Sequence, residues 1–333
     1  MSYAGKVIVA TAAVAAALLL WELRSLLLLV FGGVLFATAL DALSTGLRRL
    51  GLGQPASVLV TIALLAVGAV LLVLWAGNAI AAQASELAAR LPRAEAALQH
   101  WLQGTPLGER VLDAWGDLEI RQLPWARVLG AAGLVLGAVG DTAVVVLLAA
   151  FMAAEPTPYL HGALRLLPVG KREQVGAALR ECGQALRGWL KGQAVSMLFV
   201  GLATTLGLLA LGAPLAFLLG VIAAVLDFIP FFGPIASGAL AVLIAFTDGP
   251  DTALYVALLA LAIQQVEGHL LVPLVQRWAV QLPPALGILG VLLAGGLFGV
   301  TGVVFATPLL VATMVLVRKL YVEDALEGGR PSN

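Results

Sequence analysis

The sequence predicts an all-α polytopic membrane protein. Of its 333 residues, 61% are hydrophobic and only 11% are charged, whereas soluble domains carry about 25% charged residues. Several apolar runs reach the roughly 20 residues that cross a bilayer as a helix. Other apolar runs are shorter and are interrupted by proline or glycine. Together they predict about eight hydrophobic segments, namely six full spanning helices and two re-entrant helical hairpins.

The full-length segments alternate with two polar regions. An amino-terminal region at 1–80 holds three predicted helices and is followed by an extracytoplasmic amphipathic region at 81–127, where Pro92 weakens the helical pattern. A second amphipathic region at 154–192 is predicted to be cytoplasmic. The first apolar run continues through "WELRS" into the second, which favours a retained helix over a cleaved signal peptide. The six spanning helices are predicted at 7–21, 25–42, 55–80, 128–153, 193–211 and 252–272.

The distribution of lysine and arginine predicts the orientation, because cytoplasmic loops carry an excess of both. The stretches 44–55 and 155–192 and the tail at 318–333 are rich in basic residues. The 81–127 region is not, and "DGPD" at 248–251 carries only acids. We therefore expect both termini in the cytoplasm and a location in the bacterial inner membrane.

Four short apolar segments predict the two hairpins. Each has only 13 to 15 residues, or about 20 Å of helix, which is too short to span comfortably. The predicted orientation returns each pair to the side from which it entered, so that 193–247 and 252–317 form an inverted helix–hairpin repeat, as in many transporters. The alternative is that each pair is one kinked spanning helix. The short segments are 214–226, 234–247, 285–298 and 303–317.

Ionisable side chains at membrane depth are the first functional candidates, because they cost about 2.5–3.5 kcal/mol to insert. Asp141 lies beside a stripe of glycines, where hydrogen bonding across closely packed helices is the alternative role. Gln264 shares a helix face with Glu267, and Gln265 shares one with His269. Such a group can bind a polar solute, pass a proton or hydrogen-bond between helices.

The two predicted breaks are the second group of candidates. Asp227 opens the first break and either caps a half-helix or attracts a cation. The second break is rich in glycine, which permits close approach of the backbone. Asp141, Asp227 and Glu267 are candidates for proton or cation coupling. The predicted solute or ion pathway comprises Asp227, Phe228, Pro230, Gly233, Pro234, Gln264, Gln265, Glu267, His269, Gly295, Gly296, Gly299, Thr301 and Gly302.

These residues give the chain its resemblance to the autoinducer-2 exporter (AI-2E) family, the PerM-like permeases. The resemblance implies secondary transport, with autoinducer-2 export credited to some members and sodium/proton antiport to others, in an oligomeric, elevator-type carrier. Asn usually precedes "FIP" in the family, and Asn often follows Glu-Gly; here Asp227 and His269 stand there. The matching segments are "DFIPFFGPI" (227–235), "QQVEGHLLVPLVQ" (264–276), "LPP" (282–284) and "GGLFGVTGVVFATPL" (295–309).

We therefore expect an exporter of a small polar solute that binds between the two tips, with a cation/proton antiporter as the alternative. A channel or a membrane scaffold that transports nothing is the second alternative. The expected partners are the lipid bilayer, a small molecule or ion, and further copies of the chain. An enzyme is not expected, since Asp141 and Ser237 lack the glycine contexts of intramembrane proteases. The sequence has zero net charge and neither a Walker nor a metal-binding motif, so we expect no nucleic acid and no cofactor.

Overall fold

A computed structural model describes residues 11, 18–19, 21–105, 108, 139–271, 273 and 283–326, and these are helical apart from short turns. The predicted first spanning helix, the residues 109–138 and the segment 274–282 lie mostly or wholly outside the described ranges. The helices are α1 (Arg24–Arg49), α2 (Gln54–Gln103), α3 (Val139–Ala154), α4 (Pro156–Arg165), α5 (Val169–Ala210), α6 (Ala216–Leu226), α7 (Phe232–Ala245), α8 (Pro250–Val266) and α9 (Pro284–Val317), with a 3₁₀ turn at Phe246–Asp248 and π-helical turns at Glu267–Leu271 and Arg318–Leu326.

Within those ranges, five helical stretches are long and apolar enough to cross a membrane. Their large apolar side chains are commonly exposed: Leu74 and Trp75 of α2, for example, present most of their surface outward. Outward-facing apolar surface on this scale is typical of helices solvated by lipid. The all-helical, multi-pass prediction is therefore confirmed. The five stretches are α1, α2, α5, Pro250–Leu271 and Ala285–Glu323.

Two helices are much longer than a bilayer is thick. The 50 residues of α2 and the 42 residues of α5 correspond to roughly 75 and 63 Å of helix. The expected divisions after residues 80 and 192 fall inside these continuous helices. Pro92 does not interrupt α2. Leu87 and Ala94, on either side of it, are buried in the same core, and this packing outweighs the backbone hydrogen bond that proline removes.

The described residues divide into two compact units. The first unit comprises 1–62, 141–186 and 282–333. In it, a Cβ atom at Gly32 would lie 3.1 Å from the Phe305 ring, so α1 and α9 pack at close range. Side-chain ion pairs also join Glu181 of α5 to Arg318 and Lys319 beyond α9.

The backbone of α9 reverses at Gly299. This residue has φ 65° and ψ −147°, a conformation that is essentially restricted to glycine. A Cβ atom at Gly290 would lie 3.4 Å from Cδ2 of Leu310, although twenty residues of straight helix would separate the two by about 30 Å. The predicted segments 285–298 and 303–317 therefore lie side by side.

The second unit comprises 63–140 and 187–281. Here α6 and α7 pack against each other, and α7 packs against α8. A Cβ atom at Gly207 would lie 2.6 Å from the Leu259 side chain, so small residues on α5 allow its neighbours to approach closely. The core lies among α2, α5, α6, α7 and α8 and includes Leu87, Leu208, Leu218, Leu240, Ile244 and Val256.

A side chain from α2 supports the start of α6. The residue before α6, Leu215, has φ 57° and offers no side-chain cap. Instead, the Leu218 backbone N–H donates to Oε1 of Gln83 at 3.0 Å. Since the first N–H groups of a helix have no partner within it, Gln83 supplies from α2 what Leu215 cannot.

Candidate functional site

The break between α6 and α7 occupies residues 227–231. Asp227 follows the last residue of α6, and the residue before α7 is Phe231, which makes no capping hydrogen bond through its side chain. The expectation that Asp227 caps the start of a half-helix is therefore wrong. Phe231 has φ 68° and ψ −49°, a strained conformation for a bulky residue, and such strain is common at functional sites.

Asp227 is held by α5. Its side chain and backbone are almost completely buried, with 2% of the residue exposed. The Gln193 side-chain amide donates to the Asp227 carbonyl oxygen at 2.7 Å and approaches its carboxyl oxygen at 3.5 Å. One residue further on, the ring of Phe228 meets the ring of Trp189 edge to face, with centroids 5.5 Å apart. The break is thus anchored to one face of α5.

Glu267 is the second buried acid of this unit. It follows α8 and is 9% exposed. The Ser196 hydroxyl donates to Oε1 of Glu267 at 2.6 Å, a length typical of a hydroxyl bound to a carboxylate. Gln264 approaches the other carboxyl oxygen at 3.5 Å. Ser196 is also a side-chain hydrogen-bond neighbour of Asp227, and the Glu267 charge acts on Asp227. Ser196 therefore lies between two carboxyl groups.

A small cavity adjoins this pair. Its volume is about 40 Å³, which is room for two or three water molecules. Sites that enclose drug-sized ligands measure roughly 300 Å³ or more, so this conformation has space for water or a small ion. The cavity is lined by Val200, Thr204, Leu208, Ala223, Pro234, Ser237, Gly238, Ala241, Val256, Leu259, Ala260, Ile263, Gln264 and Glu267.

The predicted polar group after α8 divides into two parts. Gln264 and Glu267 line the cavity. Gln265 and His269 are exposed, with Nδ1 of the imidazole 3.0 Å from the Gln265 carbonyl oxygen. Both predicted face pairings are therefore confirmed, but only the first pair lies beside the buried acids.

The remaining predicted residues have varied surroundings. A Cβ atom at Gly233 would collide with the Leu226 carbonyl oxygen, so glycine is required where α7 folds back on α6. Pro230 lies in the turn, and Pro234 lines the cavity. Asp141 lies near the start of the described part of α3, and its side chain is outside the described residues.

The glycine-rich break belongs to the first unit. Thr301 is exposed and donates to the Phe298 carbonyl oxygen at 2.9 Å. A Cβ atom at Gly295 would lie 2.9 Å from Val303, and one at Gly302 would collide with the Ala294 carbonyl oxygen. Gly296 faces open space. These glycines hold the two arms of α9 together.

Gln193 and Ser196 are functional candidates that the sequence reading missed. Both lie at the start of the apolar segment 193–211, three residues apart, and therefore on one helix face. Polar residues at that spacing in an apolar helix were the available signal. Attention to formal charge alone passed over them.

Gln193→Leu is expected to lower the free energy of unfolding by about 1–3 kcal/mol, because it removes the donor to the buried Asp227 carbonyl. Thermal unfolding in detergent would measure the change. Gln184→Leu, on an exposed position of the same helix, is the control and should shift stability by less than about 0.5 kcal/mol. Equal effects of the two substitutions would contradict the anchoring role.

Comparison with known proteins identifies relatives over most of the chain. The model of the family described as "AI-2E family transporter" matches residues 8–321. A Bacillus subtilis (strain 168) protein named "Putative transport protein YueF" is 30% identical over 193 residues, which are 57% of this chain and 52% of YueF. An Escherichia coli (strain K12) protein named "Putative permease PerM" is 32% identical over 167 residues, 50% of this chain and 46% of PerM. The chain thus spans about half the length of these relatives.

Proposed function

The chain belongs to the AI-2E transporter family, and from this premise we propose that it is a secondary transporter that exports a small polar solute similar to autoinducer-2. The observation that carries the proposal is the pair of helix breaks, at 227–231 and at Gly299. Irregular backbone at membrane depth requires protein or water around it, and broken helices in transporters are where solutes and ions bind.

Each break is proposed to be the tip of a re-entrant hairpin in the bacterial inner membrane. In the second unit, the close contacts of Gly201 with Ala224 and of Gly207 with Leu259 support movement of α5, α6 and α8 as one body. Such a body suits an elevator mechanism within a homo-oligomer with cytoplasmic termini. That the solute lies between the two tips stays a prediction.

A sodium/proton or other cation/proton antiporter is the second candidate, and a specific observation favours it. Asp227 and Glu267 each follow the last residue of an α-helix, where the helix dipole is negative. Two acids at two helix carboxyl ends attract positive charge. The cavity beside them has the size of water or a small ion.

Purified protein in liposomes tests both functions. The liposomes contain either autoinducer-2 or a pH-sensitive dye, and the second set receives a pulse of NaCl. Faster loss of autoinducer-2 than from protein-free liposomes supports the exporter, and a sodium-driven pH change supports the antiporter. Absence of both fluxes overturns the proposal. A steady current through a planar bilayer without counter-solute would instead identify a channel.

A further inference from the structure

The cluster formed by Asp227, Ser196 and Glu267 has too few donors for two ionised carboxyl groups. The Ser196 hydroxyl has one proton, and it is donated to Glu267. Gln193 uses its short hydrogen bond on the Asp227 carbonyl and reaches the carboxyl only at 3.5 Å. A buried carboxylate without adequate donors or a cation is costly.

The charged surroundings of the pair are equally sparse. Neither α6 nor α7 carries an ionisable side chain. On α5, the nearest cations along the helix are Arg187 and Lys191, and both are exposed. Beyond α8, the exposed His269 contacts the Gln265 carbonyl. The pair thus faces two negative helix ends and the charge of its own partner, and a bound proton reduces all three repulsions.

We propose that Asp227, Ser196 and Glu267 form a relay that holds one proton between the helix break and the cavity. With Glu267 ionised, the Asp227 carboxyl donates its O–H to Oγ of Ser196, which donates its own proton to Glu267. Transfer of the first proton to Oγ, as the second passes to Glu267, leaves Asp227 ionised and Glu267 protonated. One O–H bond breaks and one forms at Ser196, and the total charge of the cluster stays constant.

The relay gives the two acids different roles. Glu267 lines the cavity and exchanges its proton with the contents of the cavity. Asp227 lies at the break and receives the proton at the other end. Ser196 is a positioning residue, since it accepts from one acid while it donates to the other. The relay deepens the proposed function, on which it rests, by assigning the coupled proton to particular atoms.

Infrared spectroscopy of the purified protein tests the shared proton without any transport assay. A protonated carboxyl group has a carbonyl band distinct from carboxylate bands. We expect this band at neutral pH in the native protein and its loss in both Asp227→Asn and Glu267→Gln, because either amide leaves the remaining acid ionised. Glu86→Gln, which removes an exposed acid on α2, is the control and should keep the band. A native protein without the band, or one single variant that retains it, overturns the relay.

Transfer through Ser196 is tested by the sodium-pulse assay in dye-loaded liposomes. Ser196→Ala should keep the infrared band but reduce proton flux to the level of protein-free liposomes, and Ser196→Thr should restore flux by restoring the hydroxyl. Ser57→Ala, at a fully buried serine that donates to its own helix, should leave flux unchanged. Native flux in Ser196→Ala overturns the relay. The expected bands without any flux in native protein would instead contradict the antiporter function alone.

Discussion

Ala241→Leu is expected to reduce transport to the level of protein-free liposomes. Ala241 is buried on α7 and lines the cavity beside Glu267. Three additional carbon atoms would occupy most of a space of about 40 Å³, so neither water nor an ion could reach the acid. Overpacking should cost about 1–3 kcal/mol of stability, which leaves a folded protein whose flux can be measured.

Ala239→Leu is the matched control for this prediction. It makes the same change on the same helix, but at an exposed position. The side chain would extend into lipid without strain, and flux should remain native. Native flux in Ala241→Leu, with thermal unfolding that confirms a folded protein, would show that the cavity lies outside the transport path.

Gly302→Ala is expected to lower the free energy of unfolding by about 1–3 kcal/mol. The new Cβ atom would collide with the Ala294 carbonyl oxygen and lie 2.7 Å from the Phe298 Cβ atom. Relief would require the two arms of α9 to separate. The unfolding midpoint in detergent, measured by circular dichroism, should fall by several degrees, and transport should fall with it.

Gly296→Ala is the control, because its Cβ atom would meet nothing within 4 Å. It should raise stability by about 0.5–1 kcal/mol, since alanine is the better helix former. Opposite signs for two glycine-to-alanine changes in one helix would identify contact between the arms as the cause. Similar shifts in both variants would indicate that α9 does not fold back at Gly299.

The sequence was sufficient to predict the helical class and the positions of the breaks. Pro230, Gly233 and the glycines near 299 are local signals, since proline and glycine disfavour helix wherever they occur. The continuity of α2 and α5 was not predictable in this way. Polar composition at 81–103 and 169–192 indicates solvent, but a helix continues through solvent when burial of residues such as Leu87 supports it.

The candidate site was only partly predictable. Asp227 and Glu267 stand out because charge is rare in apolar segments. Ser196 does not, since a serine in a membrane helix commonly bonds its own backbone. Its role depends on α8 placing Glu267 at 2.6 Å from its hydroxyl, and that distance is a product of tertiary packing. The wrong expectation that Asp227 caps α7 has a similar origin, because four residues separate it from the start of that helix.

The continuous α5 also measures where the proton pair lies in the membrane's electric field. Lys191 is the last charged residue of this helix, and Ser196 follows five residues later, about 7.5 Å along the axis. About 21 Å of apolar helix then remains before Ala210. In a perpendicular helix, roughly three quarters of the transmembrane voltage would therefore drop on the Ala210 side. Since a full crossing is worth about 2.3 kcal/mol per charge at 100 mV, one half of the transport cycle would respond to voltage far more than the other.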